Sequence, residues 1–114
     1  MDRKGFDFAV SLIRDWEGTR AQLRMALEMG GFTEQHGLWC RGDPMQIGSV
    51  VVAFWTGEVA LETYSRNVPG MMGAMRAWLD GVKEEQVPGV QSHSGPDWRM
   101  WEHPERLVFA RRGL

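Results

Sequence analysis

The chain has 114 residues, a formal charge of −2, six Trp, eight Met and a single Cys. That length suits one domain over residues 1–114, able to bury roughly two-thirds of the surface its unfolded chain exposes, so no disulfide or metal staple is needed. One cysteine excludes an intramolecular disulfide, the N-terminus lacks a charged and then apolar leader, and no apolar run nears the roughly 20 residues that span a bilayer, so the expected setting is cytoplasmic and off the membrane.

From Phe6 onward, Phe6, Ala9, Val10, Ile13, Trp16, Leu23 and Leu27 recur every three or four positions, apart from a gap around Gly18. This is the period of an amphipathic helix. One helix is expected, bent where Gly18 weakens it and where Thr19 to Gln22 has the form of a capping box, and ended by Gly30-Gly31. Phe32 then opens a loop. Residues 37–41 (GLWCR) form an edge strand that leads into the turn residues Gly42-Asp43-Pro44. Arg41-Gly42-Asp43 spells an integrin-binding tripeptide, but its place in a turn of a cytoplasmic chain favours the turn reading.

Residues 50–55 and 58–65 are two β-rich runs joined by Thr56-Gly57, the pattern of a tight hairpin. The turn sets the register: Trp55 faces Glu58, Phe54 faces Val59, Val52 faces Leu61 and Val50 faces Thr63. One face, with Val50, Val52, Phe54, Val59 and Leu61, is apolar and is expected to meet the helices. The other mixes Val51, Ala53, Trp55, Ala60 and Tyr64 with Glu58 and Glu62, whose charges are expected to face solvent.

Proline at 69 stops the hairpin and suits a helix start. Met71, Met72, Met75, Trp78, Leu79 and Val82 then form one stripe, which predicts a helix that covers a sheet. Residues 86–96, with two Pro and two Gly, read as a loop. Residues 97–112 read as a second hairpin with its turn around Pro104-Glu105, placing Trp101 opposite Val108 and Met100 opposite Phe109.

Catalytic chemistry finds no support. Glu58 and Glu62 lie about 13 Å apart along one strand, beyond the roughly 5 to 9.5 Å that paired glycosidase carboxylates need. Cys40 and His36 form no recognised nucleophile motif, and a lone cysteine is usually a small buried hydrophobe. His36, Cys40, His93 and His103 show no paired metal-ligand spacing, so neither a metal nor another cofactor is expected. No glycine-rich phosphate loop is present. The Trp- and Arg-bearing tail from Asp97 has four basic and three acidic residues, too even a balance for a nucleic-acid groove.

The expected fold is α+β: an antiparallel sheet of about five strands with two main helices on one face, in the order α-β-β-β-α-β-β. That order resembles the core of class I type III secretion chaperones, whose third helix has no counterpart here. By analogy the resemblance implies a dimer that binds unfolded protein segments. The expected function is a small non-catalytic protein-binding domain of inhibitor, adaptor, immunity or chaperone type. Its partner would be another protein or a second copy, a homodimer, and neither nucleic acid nor membrane. The expected contact surface is the face opposite the helices, carrying Val51, Trp55, Tyr64, Trp101 and Val108. The alternative is a small-molecule domain with an apolar pocket lined by Trp and Met.

Overall fold

The computed structural model describes residues 1–65, 75–76, 79–80 and 91–114. Two helices, α1 (Arg3–Arg14) and α2 (Arg20–Met29), precede seven strands: β1 (Thr33–Gln35), β2 (Leu38–Arg41), β3 (Val50–Trp55), β4 (Glu58–Tyr64), β5 (Gln91–Ser94), β6 (Trp98–His103) and β7 (Arg106–Arg112).

The single bent helix expected at the N-terminus is in fact two. Asp2 caps the first, its carboxylate accepting from the Gly5 amide at 2.9 Å. The far end of α1 is closed by Arg111, whose guanidinium donates to the carbonyls of Ile13 and Trp16. Thr19 then starts α2 with a complete capping box: its hydroxyl accepts from the Gln22 amide at 3.1 Å, and the Gln22 side chain accepts from the Thr19 amide at 3.0 Å. Satisfying the free amides of a new helix start outweighs continuing the old helix through Gly18. A Cβ at position 18 would sit 2.6 Å from the folded-back Gln22 side chain, so a larger residue there would displace the group that completes the capping box.

All seven strands form one antiparallel sheet in the order β1-β2-β3-β4-β7-β6-β5, so β4 is central. The β3–β4 register is the expected one, with Trp55 opposite Glu58 and Val50 opposite Thr63 across the Thr56-Gly57 turn. The β6–β7 register also matches, with Trp101 opposite Val108 and Met100 opposite Phe109. The sheet has more strands than expected at both margins. Residues 33–35, read as loop, pair with β2 through a His36-Gly37 turn in which both residues have positive φ (54° and 81°), so β2 is not an edge. Gln91–Ser94, also read as loop, pairs with β6. The α-β-β-β-α-β-β order therefore does not hold, and the likeness to the secretion chaperones fails with it.

Helices α1 and α2 cover one sheet face. Phe6, Ala9, Val10, Ile13, Leu23, Leu27 and Phe32 pack there on Val50, Val52, Val59, Leu61, Leu107 and Phe109. Phe54 belongs to this face but is half-buried at its margin, with the Arg24 guanidinium 4.6 Å from its ring centroid. The helix expected over residues 69–82 falls largely outside the described residues, including its start at Pro69 and its Met71, Met72, Trp78 and Val82. Its Met75, Arg76, Leu79 and Asp80 are described and helical. Met75 and Leu79 are buried against Ala53, Ala60, Ala110, Trp101 and Val108. These lie on the face away from α1 and α2, so the two main helices do not share a face as expected. Ala53, Ala60 and Ala110 form one cross-strand row, and such short side chains leave room for helical residues to approach the sheet closely.

Candidate functional site

Strand alternation places Val51, Trp55, Tyr64, Trp101 and Val108 on one face, as the hairpin registers require. Their exposure differs from expectation. Val51, Tyr64, Trp101 and Val108 are buried, and Trp55 alone keeps partial exposure. Trp101 and Val108 are covered by Met75 and Leu79, which belong to this face and pack with them. An amphipathic stripe shows that a helix must be covered, but leaves open which side of the sheet covers it. This face is therefore interior and does not present an aromatic platform to solvent.

The two glutamates expected in solvent are interior as well. Glu58 is bound by Arg76 at 2.7 Å and by Arg99 at 3.4 Å, and Arg76 also holds Asp80 at 2.7 Å. The Arg76 guanidinium lies 4.8 Å from the Trp55 ring centroid. Hydrogen bonding to Asp80 and to Glu58 raises the Arg76 pKa, and Arg76 in turn holds the Asp80 carboxyl below its ordinary range.

Glu62 has no such support. It sits on the central strand in the row Cys40, Val51, Glu62, Val108, Trp101, and its exposure is 0%. Neither of its carboxyl oxygens, nor the buried Tyr64 hydroxyl, makes a hydrogen bond of good geometry among the described residues, although Glu62 and Tyr64 lie near enough to influence one another. Burial pushes the Glu62 carboxyl up to about 8, against the opposing pull of the nearby Tyr64 hydroxyl and of Arg106. The Tyr64 hydroxyl is itself pushed up, first by burial and then by Glu62. Loss of solvent is the largest influence on Glu62 and favours its neutral form, with Tyr64 and Arg106 acting against it.

Cys40 is buried, and desolvation with a smaller contribution from Asp43 pushes its thiol up to about 11. Such a thiol is inert as a nucleophile at neutral pH. His93 approaches Glu102 at 3.3 Å, and Arg3 binds the same carboxylate at 2.6 Å, tying the start of α1 to β6. His103 Nδ1 accepts from the Glu105 amide in the β6–β7 turn at 3.0 Å. Among the described residues, no three of His, Cys, Asp and Glu converge on a metal-sized space, and no helix is long and apolar enough to cross a membrane. Arg41 of the Arg-Gly-Asp tripeptide is bound to Asp2 at 3.0 Å, so its side chain serves the α1 cap.

Exposed apolar surface lies elsewhere. Met25 and Met29, one turn apart on α2, are 64% and 90% exposed, and Phe8 of α1 is 39% exposed. Phe8 stacks on Phe32 at 6.3 Å between centroids. Its ring also presses on Gly30, where a Cβ would come within 2.2 Å of it, so Phe8 lies beside the end of α2 that carries Met29. None of these three residues was singled out from the sequence as a contact residue, although Met25 and Met29 fall outside the Leu23, Leu27 stripe and were legible as outward-facing. At the other end of the interior face is a cleft of about 270 Å³, lined by Ser94, Asp97, Arg99, Ala110 and Arg112 among others. It carries no sequence signature, because its residues come from three strands and the β5–β6 connection.

No protein-family model, curated protein or solved structure matches this chain.

Proposed function

We propose that the chain is a small protein-binding domain without catalytic activity, and that its contact surface is the outer side of the helical layer. The supporting observation is the group Phe8, Met25 and Met29, large apolar side chains left in water while the sheet below is covered. Methionine suits such a role, since its flexible, polarisable side chain adapts to the shape of a partner. The partner is a second copy of the chain: an isologous contact would pair the uncharged Met25, Met29 strip with itself, and the formal charge of −2 opposes self-association only weakly. Trp55, the half-exposed member of the expected aromatic set, lies outside this surface. Residence in the cytoplasm is part of the same proposal, resting on one unpaired cysteine.

Sedimentation velocity tests the reading. The wild-type chain should show concentration-dependent dimer formation, and the double variant Met25→Glu, Met29→Glu should sediment as a monomer. Glutamate is a good helix former, so far-UV circular dichroism of the variant should be unchanged. A wild-type chain that stays monomeric, or a double variant that dimerises equally well, overturns the proposal. The small-molecule alternative draws support from the polar 270 Å³ cleft.

A further inference from the structure

The cleft at the β5, β6 and β7 end of the interior face has a defined build. Ser94, Arg99 and Ala110 form one cross-strand row, and Arg112 follows two residues along β7 on the same face. Ala110, buried, and both arginines line the cleft. The rim is fixed by backbone hydrogen bonds, Gly95 N to Trp98 O at 2.9 Å and Arg112 N to Asp97 O at 2.8 Å.

The polar groups around this space are largely unspent. Ser94, Asp97 and Arg112 are exposed and make no side-chain hydrogen bond or ion pair among the described residues, so they meet only water where they line the cleft. Arg99 reaches Glu58 only at 3.4 Å and rests over the Trp101 ring at 5.2 Å. Its Nε is enclosed with no acceptor among the described residues. A buried donor without an acceptor is costly and rare, and a bound ligand or ion is one of the few explanations for it.

We propose that this cleft binds a small monocarboxylate. Paired guanidinium groups and a hydroxyl are donors that match the acceptor oxygens of a carboxylate, and arginine does so in bidentate fashion. A phosphate offers the same oxygens, but Asp97 on the rim disfavours a second negative charge. The volume of about 270 Å³ falls just below the range of roughly 300 Å³ and above that is typical of drug-sized sites. It suits an acid head group with a short body rather than a whole nucleotide cofactor. The inference is independent of the helical contact surface, which lies on the other side of the sheet.

Amide NMR titration with sodium propionate, and separately with inorganic phosphate, against sodium chloride at matched ionic strength, is the test. Propionate should produce saturable shifts at Ser94, Gly95, Asp97, Arg99 and Arg112, with a Kd on the order of millimolar. Phosphate should bind more weakly. Arg112→Gln and Arg99→Gln should each weaken propionate about tenfold or more, while Arg24→Gln, on the opposite face over Phe54, should leave it unchanged; the same spectra report whether each variant is folded. Shifts that grow linearly and equally in all three salts overturn the proposal, as does propionate binding that survives the loss of Arg112. Phosphate binding tighter than propionate overturns the preference for a monocarboxylate.

Discussion

Replacing Glu62 with Gln should stabilise the protein, by an amount that grows with pH. The folded-state value of about 8 lies above the ordinary 4.5. Below 4.5 the acid is protonated in both the folded and the unfolded chain, and its contribution to stability is fully present. Between 4.5 and 8 the unfolded chain releases the proton while the folded chain keeps it, so stability falls by about 1.4 kcal/mol per pH unit and levels off above 8. At pH 7 the penalty is on the order of 3 kcal/mol. Glutamine cannot ionise and should remove this slope. Its amide leaves a polar group without partners, so near pH 4 the variant should be no more stable than the wild type. Urea denaturation of both proteins at pH 4, 7 and 9 checks the prediction: their stability curves should diverge as pH rises. Parallel curves would show that Glu62 ionises in the fold at its ordinary pKa.

Phe109→Ala should destabilise the fold by about 3 to 5 kcal/mol, the usual loss for truncating a fully buried phenylalanine. Phe109 is 0% exposed, pairs with Leu61 and Met100 across β4, β7 and β6, and stacks on Trp98 with centroids 5.9 Å apart. It sits where the helical layer meets the middle of the sheet, so little can collapse into the space left behind. Phe54, on the same face but half-buried under Arg20 and Arg24, should lose clearly less on the same substitution. Chemical denaturation of the two variants gives the comparison, and a loss below about 1 kcal/mol for Phe109→Ala would contradict its place in the core.

What the sequence made legible is the part governed by turns. Thr56-Gly57 and Pro104-Glu105 each fix a register, and a register assigns every residue of both strands to a face. The strands that were missed lack such signals. Thr33–Gln35 is short and polar and turns through His36 at positive φ, which is uncommon for any residue but glycine; Gln91–Ser94 has no β-rich residue and lies beside a Pro- and Gly-containing stretch. The helix break was half visible in the Thr19 to Gln22 box, but periodicity on both sides of Gly18 suggested continuity. The largest error concerned sides rather than elements. Both amphipathic stripes were given to the face of Val50 and Leu61, leaving Trp101 and Tyr64 uncovered. The alanines at 53, 60 and 110 carried the contrary signal, since a row of small side chains on the mixed face is where helical residues can seat. The exposed methionines of α2 were legible as residues off the stripe, whereas the 270 Å³ cleft has no periodic signal because it is assembled by strand pairing.

Met75 and Leu79 cover Trp101 on the face away from α1 and α2, which places Trp101 in the interior and leaves the proposed self-association to the helices. Trp101→Ala, followed by chemical denaturation and by sedimentation velocity under native conditions, tests it most directly. A stability loss of about 3 to 5 kcal/mol, with dimerisation of the remaining folded protein unchanged, is the predicted result. A variant as stable as the wild type that no longer dimerises would return Trp101 to an exposed contact surface and contradict the account.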